Sequence, residues 1–133
     1  MLLLDTHVLI WFAEDSRRLG ARASKLTDAA LQRDEVLVSA VSFWEIDMLL
    51  DKGRMESALS PKAIRQKVLE QGIREVPLNG AVAISAAQLV EFHGDPADRF
   101  IVATALAEGA ALLTADAPIL RWKGTLKRHD ARR

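Results

Sequence analysis

The chain has 133 residues, no cysteine, and 18 basic residues against 18 acidic ones. Half of it is hydrophobic and 27% is charged, which excludes a disordered chain, a disulfide scaffold and any thiolate or zinc–thiolate chemistry. A formal charge of zero leaves nucleic-acid binding undecided, and the length fits one domain spanning residues 1–133.

Leu2-Leu3-Leu4 reads as a short strand buried on both faces, and it stops on Asp5. The start carries no basic region and its apolar run is broken by that acid, so neither a signal peptide nor a spanning helix is expected, and the location is read as cytoplasmic. Val8 to Ala13 follows with helical spacing, placing Asp5 in a strand-to-helix crevice, the edge of an α/β sheet where ligands bind. Asp15 to Gly20 is a polar loop, and Ala21 to Arg33 carries Ala23, Leu26, Ala30 and Leu31 on one helical face. Val36-Leu37-Val38 is the second strand. Ser39 or Ser42 then starts a third helix running to Lys52, closed by Gly53. Phe43, Trp44, Ile46, Met48 and Leu49 are spread around this helix, which implies deep burial or a shared interface.

Ser60-Pro61 opens a fourth helix that Gly72 closes, and Ile73 to Pro77 is a candidate short strand. Asn79 is expected to cap a helix reaching about Phe92. In His93-Gly94-Asp95-Pro96, Asp95 is placed as an N-cap, and the helix from Ala97 to Glu108 ends at Gly109. Ala111-Leu112-Leu113-Thr114 is a further buried strand, followed by Asp116, and the tail beyond Leu120 is basic and unassigned. Strands and helices alternate without repeat or linker, so the expected class is α/β, a parallel sheet covered by helices.

Four acids share a structural position. Asp5 and Asp116 follow buried strands, while Glu45 and Asp98 fall in the first turns of helices; right-handed crossovers put all four on one sheet edge. Two like charges about 4 Å apart repel by on the order of 4 kcal/mol at an effective dielectric near 20. Protons or a divalent cation must therefore neutralise the cluster. Helix N-termini favour ionised acids, and oxygen ligands favour Mg²⁺ or Mn²⁺ over zinc. His7, His93 and His129 show no chelating spacing. Such a site suits phosphate-ester hydrolysis.

Plainer roles compete at each position. Ser42 to Glu45 is also a capping box, and Asp95 to Asp98 is a good helix start without any metal. Thr6 and Thr114 are candidates to hold a water or a neighbouring acid, or simply to cap a local turn. Trp11, Trp44 and Trp122 read as core or interface residues, and Arg99 as a partner of Asp95 or of a phosphate. Arg17, Arg18, Arg22 and Lys25, with Lys123, Lys127, Arg128, Arg132 and Arg133, form either a polyanion-holding rim or ordinary solubilising charge.

Four segments together resemble the PIN-domain family, and more narrowly its VapC toxins: Leu2 to His7, Val38 to Ile46, His93 to Ala105 and Leu112 to Asp116. They run in family order over nearly the whole chain. The resemblance implies a three-layer PIN fold, a Mg²⁺- or Mn²⁺-dependent endoribonuclease with tRNA among its candidate substrates, products with 5′-phosphate and 3′-hydroxyl ends, a homodimer, and silencing by a VapB-type antitoxin. Matched residue by residue, it implies Asp5, Glu45, Asp98 and Asp116 as catalytic and metal-binding residues, with Thr6, Asp95 and Thr114 as secondary candidates. Ala97 stands where this family often has a larger residue. A PIN-like domain that binds RNA or a partner without cutting is the main alternative. A receiver domain lacks its phosphoacceptor after Val38, and a haloacid dehalogenase-type phosphatase lacks its second Asp, where His7 stands.

Overall fold

The computed structural model describes residues 1–133. Five parallel strands, β1 (Leu2–Leu4), β2 (Val36–Ser39), β3 (Arg74–Val76), β4 (Ala111–Thr114) and β5 (Arg128–Asp130), form one sheet in the order β3-β2-β1-β4-β5. The helices are α1 (Thr6–Ala13), α2 (Ala21–Gln32), α3 (Ala40–Asp51), α4 (Pro61–Glu70), α5 (Gly80–Ala87), α6 (Pro96–Glu108) and α7 (Ala117–Arg121). The first strand made is thus the central one. The chain builds outward through β2 and β3, then crosses back to add β4 and β5 on the other side of β1.

The aliphatic triplets explain the layers. Leu2, Leu4, Val36, Val38 and Leu113 point to a face covered by α1, α2, α3 and α4, where Val8, Leu9, Ile46, Ile64 and Val68 complete a core. Leu3, Leu37 and Leu112 point to the opposite face against Ile101, Val102 and Ala105 of α6 and Ile119 of α7. Alternate residues of the same strand therefore enter different cores, which is why these strands are aliphatic without a polar side. Burying each such leucine stabilises the fold by about 1.5–3 kcal/mol. Helix α5 lies outside this second layer and packs Val82 and Ala86 on Ala103 of α6. No helix is long and apolar enough to cross a membrane.

The structure settles one choice the sequence left open and moves one helix end. Ser39, not Ser42, caps α3, its hydroxyl accepting from the Val41 N–H at 3.2 Å. The capping box is not formed, and Glu45 falls in the second turn. Helix α5 stops at Ala87 rather than near Phe92. Its end is fixed by Arg99, which donates to the carbonyls of Ala86 (2.9 Å), Phe92 (2.7 Å) and His93 (2.9 Å), and by the Trp122 indole N–H on the Val90 carbonyl at 2.9 Å. Arg99 is thus a clamp on the segment between α5 and α6, with neither Asp95 nor a free phosphate site as its partner. The unassigned tail beyond Leu120 supplies the last residue of α7 and the edge strand β5. Helix α3 is not wholly buried either, and Trp44 is 54% exposed.

The tail is pinned at its far end. Ala131 donates to the Thr114 carbonyl at 2.8 Å, Gly20 donates to the Ala131 carbonyl at 2.9 Å, and Arg22 donates to the Arg133 carbonyl at 2.8 Å. A β-carbon at Gly20 would sit 2.2 Å from the Arg133 carbonyl carbon and 2.6 Å from that of Arg132. Backbone cannot yield that much without breaking these bonds. Gly20→Ala is expected to destabilise the chain by about 1–3 kcal/mol, read as a lower midpoint in urea.

Candidate functional site

The strand order reverses at β1, between the outward path through β2 and the return at β4. In open parallel sheets this switch point opens a crevice at the carboxyl ends of the strands. Asp5 leaves β1 there and Asp116 leaves β4.

Asp5 caps α1, and both of its oxygens are engaged. Oδ1 accepts from the Thr6 N–H at 2.8 Å, and Oδ2 accepts from the Thr114 hydroxyl at 2.6 Å. The Thr114 hydroxyl in turn accepts from the Asp116 N–H at 3.0 Å, so one threonine couples the two strand ends. The buried Thr6 hydroxyl donates to Ser42 Oγ at 3.0 Å, tying α1 to the face of α3 that carries Glu45 one turn later. Thr6 and Thr114 are therefore scaffolding for the acids. Asp116 caps α7 through Ile119 N–H at 3.1 Å, and Asp95 caps α6 through Asp98 N–H at 3.1 Å. Asp95 is exposed, in keeping with a cap.

One oxygen each from Asp5, Glu45 and Asp98 lies within 4.8 Å of the others, and Asp98 belongs also to a second trio with His93 and Asp116 at the same limit. At that separation a pair of like charges repels by about 3.5 kcal/mol for an effective dielectric near 20. Burial pushes the Asp98 carboxyl up to about 8, with Asp5, Asp95, Asp116 and Glu45 adding to the rise. Burial likewise lifts Glu45 to about 7, although the Thr6 hydroxyl opposes it. Asp5 is raised mainly by burial, against its hydrogen bonds from Thr114 and Thr6. The helix N-terminus at Asp98 is thus outweighed by desolvation and neighbouring charge. Near neutral pH the cluster holds either protons or a cation.

The fit to a cation is good. The first trio is oxygen-only, the preference of Mg²⁺ and Mn²⁺. Asp5, Glu45 and Asp98 are the residues that would hold such an ion, each offering one oxygen within 4.8 Å of the others.

His93 is the residue that sequence spacing missed. Its Nδ1 faces the Asp95 N–H at 3.4 Å, while Nε2 lies 3.2 Å from Asp98 Oδ2 and 3.9 Å from Asp116 Oδ2. Nε2 is buried and makes no well-directed hydrogen bond. The ring stacks on Phe92 with centroids 4.5 Å apart, which fixes its direction. The overlooked signal is a histidine two residues ahead of an N-cap, where a tight turn folds the ring back over the first turn of the helix. His93→Ala is expected to weaken Mn²⁺ binding about tenfold by calorimetry, the scale on which a residue orienting a ligand acts.

A parallel α/β sheet with carboxylates gathered at its switch point defines the class, and the PIN-domain family profile matches residues 2–123: the chain belongs to the PIN-domain family. Its likeness narrows to the VapC type. Ribonuclease VapC22 of Mycobacterium tuberculosis (strain ATCC 25618 / H37Rv) is 37% identical over 116 residues, covering 86% of this chain and 86% of that protein. In fold, the chain matches one from the VapBC2 complex of Rickettsia felis, solved on a DNA fragment from their promoter, with a TM-score of 0.68 at 12% identity over 96% of both chains. A toxin-antitoxin complex from Klebsiella pneumoniae gives 0.64 at 18% identity over 98% of both chains. The family places the receiver and dehalogenase-type alternatives out of consideration.

Proposed function

We propose that the chain is a metal-dependent endoribonuclease, the toxin of a VapBC-type pair. The observation that carries this reading is the convergence of Asp5, Glu45 and Asp98 oxygens within 4.8 Å at the switch point. The 37% identity to a protein named as a ribonuclease and the fold shared with toxin-antitoxin complexes support it.

Mg²⁺ or Mn²⁺ bound by Asp5, Glu45 and Asp98 would neutralise developing charge on a phosphodiester and activate water for in-line attack. The chain's own part is positional. Thr6 N–H and Thr114 hydroxyl hold the Asp5 carboxylate in one orientation, His93 lies against Asp98 Oδ2, and Asp116 completes the acidic wall from β4. Burial keeps bulk water from screening these groups. A VapB-type antitoxin is the expected partner, and an arginine side chain has the geometry to pair with two of these carboxylates and block the cleft. The exposed Ile84 and Val90 offer apolar surface for a homodimer.

Purified chain free of antitoxin should cut structured RNA, tRNA included, with Mg²⁺ or Mn²⁺, leaving 5′-phosphate and 3′-hydroxyl ends. Chelator and Asp5→Asn should each stop the reaction. RNA binding with no cutting, under conditions where the ion is shown to bind, would favour a binding-only PIN domain instead.

A further inference from the structure

A cavity of about 190 Å³ opens beside the acids, lined by Asp5, His7, Trp11, Ala115, Asp116 and Arg132. Two of its walls are the candidate metal ligands. The remaining walls come from α1 and from the clamped tail. His7 and Trp11 stand four residues apart on α1 and share a face beyond its cap Asp5. Arg132 arrives from the opposite side, carried by the β5 strand and fixed by the backbone bonds of Ala131 and Arg133 to Thr114, Gly20 and Arg22.

The chemistry of these walls is that of a nucleotide. Arg132 is exposed and shares the cavity with two carboxylates, yet it forms no ion pair within 4 Å of either. Its guanidinium is free to take a phosphate. Trp11 is partly buried against the main core, which restrains the ring, and it also lines the cavity. Its indole N–H has no partner in the protein, leaving a flat ring with an unused donor. An arginine and a core-anchored indole lining the same small cleft suit one phosphate and one base of a single strand. A basic peptide would meet Arg132 as a like charge.

We propose that this cavity is the subsite for the nucleotide flanking the scissile phosphate, with Arg132 holding its phosphate and Trp11 stacking its base. The proposal rests on the ribonuclease reading and adds a substrate-positioning role to residues outside the acid cluster. The sequence reads Trp11 as a core or interface residue and Arg132 as one of several basic tail residues. Only the edge strand and the Gly20 contact bring the two together.

The test uses the full chain carrying Asp98→Asn, so that bound RNA stays intact, and a dye-labelled single-stranded RNA of mixed sequence read by fluorescence anisotropy. Adding Arg132→Ala should weaken binding about tenfold and lower the slope of log affinity against log salt by about 0.7, the loss of one phosphate contact on a single strand. Arg132→Lys should restore the slope. Trp11→Ala should weaken binding about tenfold with the slope unchanged, and Trp11→Phe, which preserves the packing, should lose less. In the cutting chain, Arg132→Ala should raise KM far more than it lowers kcat. Unchanged affinity and slope in Arg132→Ala, with RNA still bound by the parent and cut by the wild type, would overturn the subsite while leaving the nuclease reading intact. If the wild type neither binds nor cuts RNA, both fall together.

Discussion

Replacing Asp98 by asparagine should lower RNA cleavage by about a thousandfold and, in chelator at pH 8, raise the melting temperature. The two effects have opposite signs because, as a proposed ligand, the residue would serve a bound ion while its charge burdens the metal-free fold. Asp98 belongs to both groups of candidate ligands, and its side chain is only 15% exposed. Its carboxyl ionises near 8 because burial disfavours the charge and four other acids add to the repulsion. Asparagine keeps the shape and removes that charge. At pH 8 the gain should be on the order of 1–2 kcal/mol, or about 5 °C for a chain of this size. Asp5→Asn should abolish cleavage as well but gain less. Asparagine has one acceptor oxygen where Asp5 uses two, and its amide would face the Thr114 hydroxyl that already accepts from Asp116 N–H. A large loss of stability in both variants would mean that these acids serve the fold alone.

Stability of the metal-free chain should fall as pH rises from 5 to 8. Glu45 and Asp98 ionise near 7 and near 8 in the folded chain, against ordinary values of 4.5 and 3.8. Each therefore keeps its proton when folded over a range in which the unfolded chain has released it. Proton uptake favours the folded state at the acid end, and that advantage disappears as pH climbs through the folded values. Asp5 is shifted in the same direction. Because the groups are coupled and partly solvated, the combined loss should be on the order of a few kcal/mol. Saturating Mg²⁺ or Mn²⁺ should restore stability at pH 8, by an amount that grows with ion concentration. Urea midpoints across this range, in chelator and in metal, check both statements. A flat profile in chelator would show that the carboxylates are not forced together.

Much of this was legible from local chemistry. Leu2 to Leu4 ending on Asp5, Asp95 before Pro96, Ser60 before Pro61 and Gly109 in a left-handed cap at φ 63° each carry their structural reason within a few residues. What escaped depended on distant partners. Two serines were equally good caps for α3, and the choice of Ser39 was made by the length of β2, which moved Glu45 one turn onward. Helix-compatible residues continue past Ala87 through Leu89, Val90 and Phe92, but Arg99 captures the Ala86 carbonyl and the helix ends there. The β5 segment Arg128-His129-Asp130 has no apolar pattern, since it is an edge strand stabilised by its backbone pairing with β4. His93 escaped because its partners are reached through a turn, where helical spacing does not apply.

The position of β1 in the sheet also governs when the acids can assemble. Its register joins Leu2 to Val36 on one side and to Ala111 on the other. A nascent chain can close the first pairing early, but the second waits until β4 emerges. Synthesis at about 5–20 residues per second puts several seconds between the two neighbours. Throughout that interval Asp5 lacks the hydroxyl of Thr114, and Asp98 and Asp116 have yet to meet it. The acid cluster is therefore assembled late, after the ribosome has made most of the domain, and an unfinished copy has no such cluster to offer an ion.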